Sequence, residues 1–220
     1  MLGTTPFFDT IMRTLSIFLL LLVLISCELQ YKELQYPQEV DFFDSNFYQH
    51  FPTKVPSAYS QLTVSQNLSN SHPHIWLLYY DSDEHLDSLE TALNSNFEAY
   101  LSEDTCLTVI EEHLNPNNLM DYDKSKYKPK IYKYKSINCH ETSPPIPRFY
   151  SDSWFQTNST KTGLNPGWKL YVIEADTGTF MKDEKLPNGF NTPNGFKHGI
   201  SKGIALNRET NAIIYWADVW

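Results

Sequence analysis

Long apolar runs are nearly absent from this 220-residue chain. The one that stands out, Leu15 to Ile25, has eleven residues and is apolar except for Ser16. As a helix it would reach roughly 16 Å, about half of the ~30 Å bilayer core that some 20 apolar residues are needed to cross. It is therefore too short to span. Cysteine is scarce as well. Cys27, Cys106 and Cys139 are too few for a scaffold held together mainly by disulfides. No C-x-x-C or paired Cys/His spacing accompanies them, so no zinc site is expected. The fixed-spacing signatures G-x-S-x-G, H-E-x-x-H, G-x-x-x-x-G-K-[ST] and G-x-G-x-x-G do not occur, so no catalytic residue and no cofactor is assigned. Positive charge is almost missing from the first half. Between residues 28 and 123, 17 acids face only Lys32 and Lys54, a net of −15, whereas residues 124–220 carry a net of +6. A total of −9, with basic residues grouped only around Lys124–Lys135, argues against a nucleic-acid partner. Two readings of the asymmetry stay open. Either the halves pack and their fields cancel, or an acidic face meets a cationic partner.

What the apolar run does match is the 7–15-residue core of a secretion signal, with Arg13 as its positive flank. It ends in Leu24-Ile25-Ser26-Cys27. Over residues 12–28 the chain resembles the leader of bacterial lipoproteins, in which an aliphatic residue, a tolerant position and a small residue precede the modified cysteine. The resemblance implies cleavage before Cys27, a diacylglycerol on its sulfur, and stable anchoring by two or more acyl chains. An ordinary secretion signal or a buried apolar helix is the plainer alternative. Read from Met1, the leader carries Asp9 and no cation before Arg13; read from Met12 it conforms better, so Met12 is the expected start. In bacteria with two membranes, Asp after the cysteine is the usual signal for inner-membrane retention; Glu28 stands there instead, so the resemblance implies the outer membrane.

These features divide the chain into a signal peptide over 1–26, a lipidated Cys27 with a tether over 27–40, and one globular domain over 41–220. The tether assignment rests on "ELQYKELQYPQE", poor in aliphatic residues and ending near Pro37. The alternative is an early strand or turn of the domain. With Cys27 carrying lipid, Cys106 and Cys139 form an even pair suited to a disulfide in an oxidising compartment.

"HIWLLYY" (74–80) reads as a buried strand. After it, Leu86, Leu89, Leu93, Phe97, Tyr100 and Leu101 lie on one face of a helix, with Asp81 or Ser82 as its cap and Asp83, Glu84 and Asp87 in its first turn. These acids tempt a calcium assignment, but Leu86 occupies the position where an EF-hand loop needs glycine, so no metal is expected. His72 and His74 read as loop histidines. Strands are expected over 105–114, 131–137 and 168–175. Asn207–Asn211 should close a β-hairpin whose last strand places Ile214, Trp216 and Trp220 on one face and Ile213, Tyr215 and Val219 on the other. Both faces are apolar, which makes that strand central. One clear helix among hairpins, without a βαβ rhythm, predicts an α+β fold, antiparallel-rich, with the helix packed on one face.

"LPNGFNTPNGFKHG" repeats Pro-Asn-Gly-Phe and reads as two tight turns. Phe190 and Phe196 either pin this loop to the core or, with Asn188 and Asn194, form a recognition loop for a protein or glycan. The resulting expectation is a non-enzymatic binding protein held to the cell envelope through Cys27. The alternatives are an envelope hydrolase using paired carboxylates, or an anchored immunity or inhibitor protein with an acidic face.

Overall fold

The computed structural model describes residues 29–66, 72–110, 143–149, 160–181 and 197–220. Its centre is a six-stranded antiparallel sheet. The strands are β3 (Ser60–Ser65), β4 (His74–Tyr80), β5 (Ala99–Leu101), β8 (Trp168–Thr177), β9 (Gly199–Asn207) and β10 (Ala212–Val219), in the spatial order β3-β4-β10-β9-β8-β5. Two small pairs flank it: β1 (Tyr31–Glu33) with β2 (Lys54–Pro56), antiparallel, and β6 (Val109–Ile110) with β7 (Ile146–Pro147), parallel. Helix α1 (Asp83–Asn94) leaves the end of β4 and leads to β5 at the far edge of the sheet.

The expected α+β architecture is present. β10 lies inside the sheet and is buried along its whole length. The two-residue period of a strand sends Ile213, Tyr215, Ala217 and Val219 to one core and Ile214 and Trp216 to the other. On the first face, Leu86 and Leu93 of α1 pack together with Val40, Phe43, Phe47, Phe51 and Val55 from the N-terminal turns and β2. On the second, Trp76, Leu78, Ile214 and Trp216 meet Leu107, Val109, Ile146, Phe149 and Leu164. Both faces are thus covered, which explains why β4 and β10 read as nearly continuous apolar runs. The hairpin closes at Asn211, in the left-handed region at φ 55°, a conformation asparagine tolerates. Asn207 Oδ1 accepts the Thr210 N–H at 3.0 Å inside the same turn.

Three expectations need correction. Residues 29–40 are folded rather than a tether. Tyr31, Lys32 and Glu33 pair with Pro56, Val55 and Lys54, and Val40 enters the core at 2 % exposure. Backbone pairing gave this polar segment a place that its side chains did not announce. Secondly, α1 stops at Asn94 instead of running through Leu101. Ser95 Oγ and Asn96 Nδ2 donate to the Thr91 and Ala92 carbonyls at that end, and beyond it Ala99–Leu101 pairs with β8. Thirdly, His74 belongs to β4 rather than to a loop; His72, in the loop before it, is buried as well. The strand expected over 105–114 is seen at Val109–Ile110, with 111–114 outside the described residues. The strand expected over 131–137 lies outside them altogether.

Candidate binding surface

At the end of β4 a buried carboxylate holds one of three exposed tyrosines. Asp81 is buried because the chain turns there from strand to helix: its N–H donates to the Asn211 carbonyl of the hairpin at 3.0 Å. Its Oδ1 accepts the Tyr31 hydroxyl at 2.5 Å and the Ser82 N–H at 2.8 Å. Oδ2 faces His85 Nε2 at 3.9 Å. Ser82, not Asp81, caps α1, its Oγ accepting the His85 N–H at 3.3 Å. Partial burial, then the hydrogen bond to Asp81 and its charge, push the Tyr31 hydroxyl up to about 12. The tyrosine therefore stays a neutral donor. Tyr31 remains 44 % exposed; at the same end of β4, Tyr59 and Tyr80 are 46 % and 43 % exposed, their rings 5.4 Å apart. An exposed aromatic group of this kind is where soluble surfaces meet partners.

At the opposite edge of the sheet, about 20–25 Å away at one strand spacing per step, β5 borders an open cleft of about 540 Å³. Glu98, Tyr100, Leu101, Glu103, Asp104 and Cys106 help to line it. Ser102 is fully buried and fixes the end of β5: its Oγ donates to the Asn165 carbonyl at 2.8 Å and accepts the Trp168 N–H at 3.3 Å. Glu103 Oε2 accepts the Gly167 N–H at 3.0 Å. That bond, which outweighs the opposing effect of burial, and the residue's own backbone N–H hold the Glu103 carboxyl below its ordinary value. It is ionised at neutral pH. Asp104 Oδ1 accepts the Cys106 N–H at 2.8 Å, and Glu98 Oε2 accepts the Tyr100 hydroxyl at 2.9 Å. The cleft is consequently a carboxylate-rimmed trough with an apolar side chain, Leu101, 46 % exposed within it.

Between these two edges the polar groups serve the fold. Glu90 on α1 binds Lys169 Nζ at 2.6 Å and Arg208 Nε at 2.6 Å, clamping the helix to β8 and to the hairpin. Burial alone would raise the Glu90 carboxyl, but the hydrogen bonds and charges of Lys169 and Arg208 hold it low. On the second face, Asp218 lies between Ser201 and His74 on neighbouring strands. A serine, a histidine and an aspartate thus meet across three strands, but the Ser201 hydroxyl donates to the Pro145 carbonyl at 2.7 Å and accepts Trp216 Nε1–H at 3.1 Å. A fully buried hydroxyl committed in this way is a strut rather than a nucleophile. His74 Nδ1 donates to the His72 carbonyl at 2.8 Å, and its ring stacks on Trp76 at 3.9 Å.

Two imidazoles are kept neutral here. Burial lowers His74 to about 4, against the partial opposing effect of its bond to His72. Burial likewise lowers His50 to about 4, against the opposing bond to the Trp216 carbonyl. In the unfolded chain both return to about 6.5. Above that value neither state is protonated and pH has no effect through them. As pH falls from 6.5 towards 4, only the unfolded chain gains the protons, so stability falls, by roughly 2–3 kcal/mol per histidine. The urea midpoint should drop steadily between pH 7 and pH 5; a flat profile would contradict two neutral buried imidazoles. The contribution of Glu90, whose folded value is depressed, is lost only in the lower range, as pH falls through that value.

Of the side chains singled out by sequence, Cys27, Cys139, Asn188, Phe190, Asn194 and Phe196 lie outside the described residues. Cys106 lies just beyond β5, half-buried at the cleft. Asp83, Glu84 and Asp87 are exposed on the first turns of α1. Among the described residues no group of three or more His, Cys, Asp or Glu is arranged to hold a metal ion, and no helix is long and apolar enough to cross a membrane. Neither the tyrosine group nor the cleft was marked by sequence. The exposed tyrosines come from three separate segments, and the acids around Glu103 read as ordinary solvated charge. Comparison with known protein families, curated proteins and solved structures finds no match.

Proposed function

We propose that the chain is a cell-envelope lipoprotein, anchored through Cys27 in the outer membrane of a bacterium, that binds a cationic protein segment in the cleft beside β5. The observation that carries the binding reading is the composition of that cleft. Glu98, Glu103 and Asp104 surround Leu101 at an edge strand, a setting that attracts positive charge and gives an aliphatic or aromatic anchor somewhere to rest. An anchored inhibitor or immunity protein is one form of this reading. The turn loop carrying Asn188, Phe190, Asn194 and Phe196 is proposed as a second contact, and a Cys106–Cys139 disulfide as the brace behind the cleft.

A hydrolase is the second reading, favoured by three carboxyl groups in one cleft. Glycan hydrolysis by such a pair needs one carboxyl raised to act as the acid; Glu103 is shifted the other way by the Gly167 N–H.

Placing a photo-crosslinking residue at Leu101 of the anchored protein in its own cells tests the assignment. A single partner is expected, lost in a Glu98→Lys variant and released by salt, as a charge-steered contact should be. A partner captured through Phe190 or Phe196 but never through position 101 would move the site. Glycan turnover abolished by Asp104→Asn would replace binding with catalysis.

A further inference from the structure

The described chain begins at Leu29, and Tyr31 is already fixed in β1. Cys27 is four residues from Tyr31, and four extended residues reach at most about 14 Å. Whatever holds Cys27 therefore stays within about 14 Å of Tyr31 and of this end of β4. The Tyr31 hydroxyl is bonded to buried Asp81, so this corner cannot swing away without breaking that contact and the β1–β2 pairing. Leu29, Tyr31, Tyr59 and Tyr80 are all exposed there. Rings with an apolar body and a polar tip are the side chains that settle at the headgroup level of a bilayer.

We infer that this tyrosine corner is a membrane-contact surface, which lays the domain directly on the lipid headgroups and turns the β5 cleft outward. The inference rests on the lipid anchor at Cys27 proposed above. Contact is made by the aromatic rings and not by charge. The charged groups around the corner are Lys32 and Lys54 opposed by Glu33, Asp83 and Glu84, and Lys54 is paired with Glu33 at 3.4 Å. They give no net attraction for anionic lipid, so zwitterionic headgroups are the fitting surface.

The test is hydroxyl-radical footprinting of the lipidated full chain in vesicles of phosphatidylethanolamine with a minor share of phosphatidylglycerol, compared with the Cys27→Ser chain in solution. The N-terminal peptide is weighed in both samples. Tyr59 and Tyr80, remote from Cys27 in sequence, should be protected several-fold in vesicles, while the exposed Leu101 and Phe180 react equally in both. Lipid on Cys27 with Tyr59 and Tyr80 still fully reactive would overturn the inference and leave the anchor standing. An unmodified Cys27 would overturn both. Protection that appears without vesicles at high protein concentration would make the occupant a second copy, and protection confined to native membranes would make it another protein; each refutes the lipid contact.

Discussion

Trp216→Ala should cost about 3–5 kcal/mol of stability, the range for emptying a large buried aromatic site, enough to remove most of the margin of a domain this size. Trp216 is fully buried at the middle of β10. Its ring meets Phe149 edge-on at 5.7 Å, and its Nε1–H donates to Ser201 Oγ at 3.1 Å. Alanine would open a cavity that neighbours from β4, β9 and the β7 segment cannot fill together, because each is held by its own strand pairing. It would also leave Ser201 without a donor. Equilibrium urea unfolding measures the change, and a loss below about 1 kcal/mol would mean that the second face is far looser than its burial implies.

The second large effect is expected at Gly203, directly across from Trp216 in the β9–β10 pair. A Cβ there would lie 2.2 Å from Trp216 Cζ2 and 2.3 Å from the Tyr171 carbonyl oxygen. Gly203→Ala should therefore cost about 3 kcal/mol or more, at the upper end of overpacking. Part of that cost comes from the indole and part from backbone, and the two can be separated. Trp216→Leu in the Gly203→Ala background removes the ring clash but not the clash with Tyr171 O. The double variant should be less unstable than the sum of the single changes, yet still well below the parent, as contacting sites couple. Full additivity would show that the indole already has room to move aside.

That pair also shows what could be read from residues alone. β4 and β10 were legible because their apolar density is extreme. Asn207 and Asn211 marked the turn between β9 and β10, and the two-sided pattern of β10 correctly implied a strand with neighbours on both flanks. The start of α1 was legible from Ser82 and the acids behind it. Its end was not: Phe97, Tyr100 and Leu101 keep the helical spacing, and it is the pairing of Ala99–Leu101 with β8, a contact distant in sequence, that takes them out of the helix. Segment 29–40 carries few aliphatic groups, so its backbone pairing with Lys54–Pro56 left no trace in composition. The exposure of Tyr31, Tyr59 and Tyr80 is a tertiary fact. Nothing local distinguishes these tyrosines from Tyr79, which is buried one position away from Tyr80. His74 looked like a loop residue because a histidine held neutral by burial carries no mark in the sequence.

The position of β10 has a temporal side. It is the last strand of the sheet to be synthesised, yet it sits between β4 and β9 and supplies the hydrogen bonds that join the β3-β4 pair to β9, β8 and β5. Until residues 212–219 have left the ribosome, the earlier pieces have no edge in common, and contacts this distant in sequence form slowly. The sheet thus stays in two pieces until its final strand acts as a closing stitch.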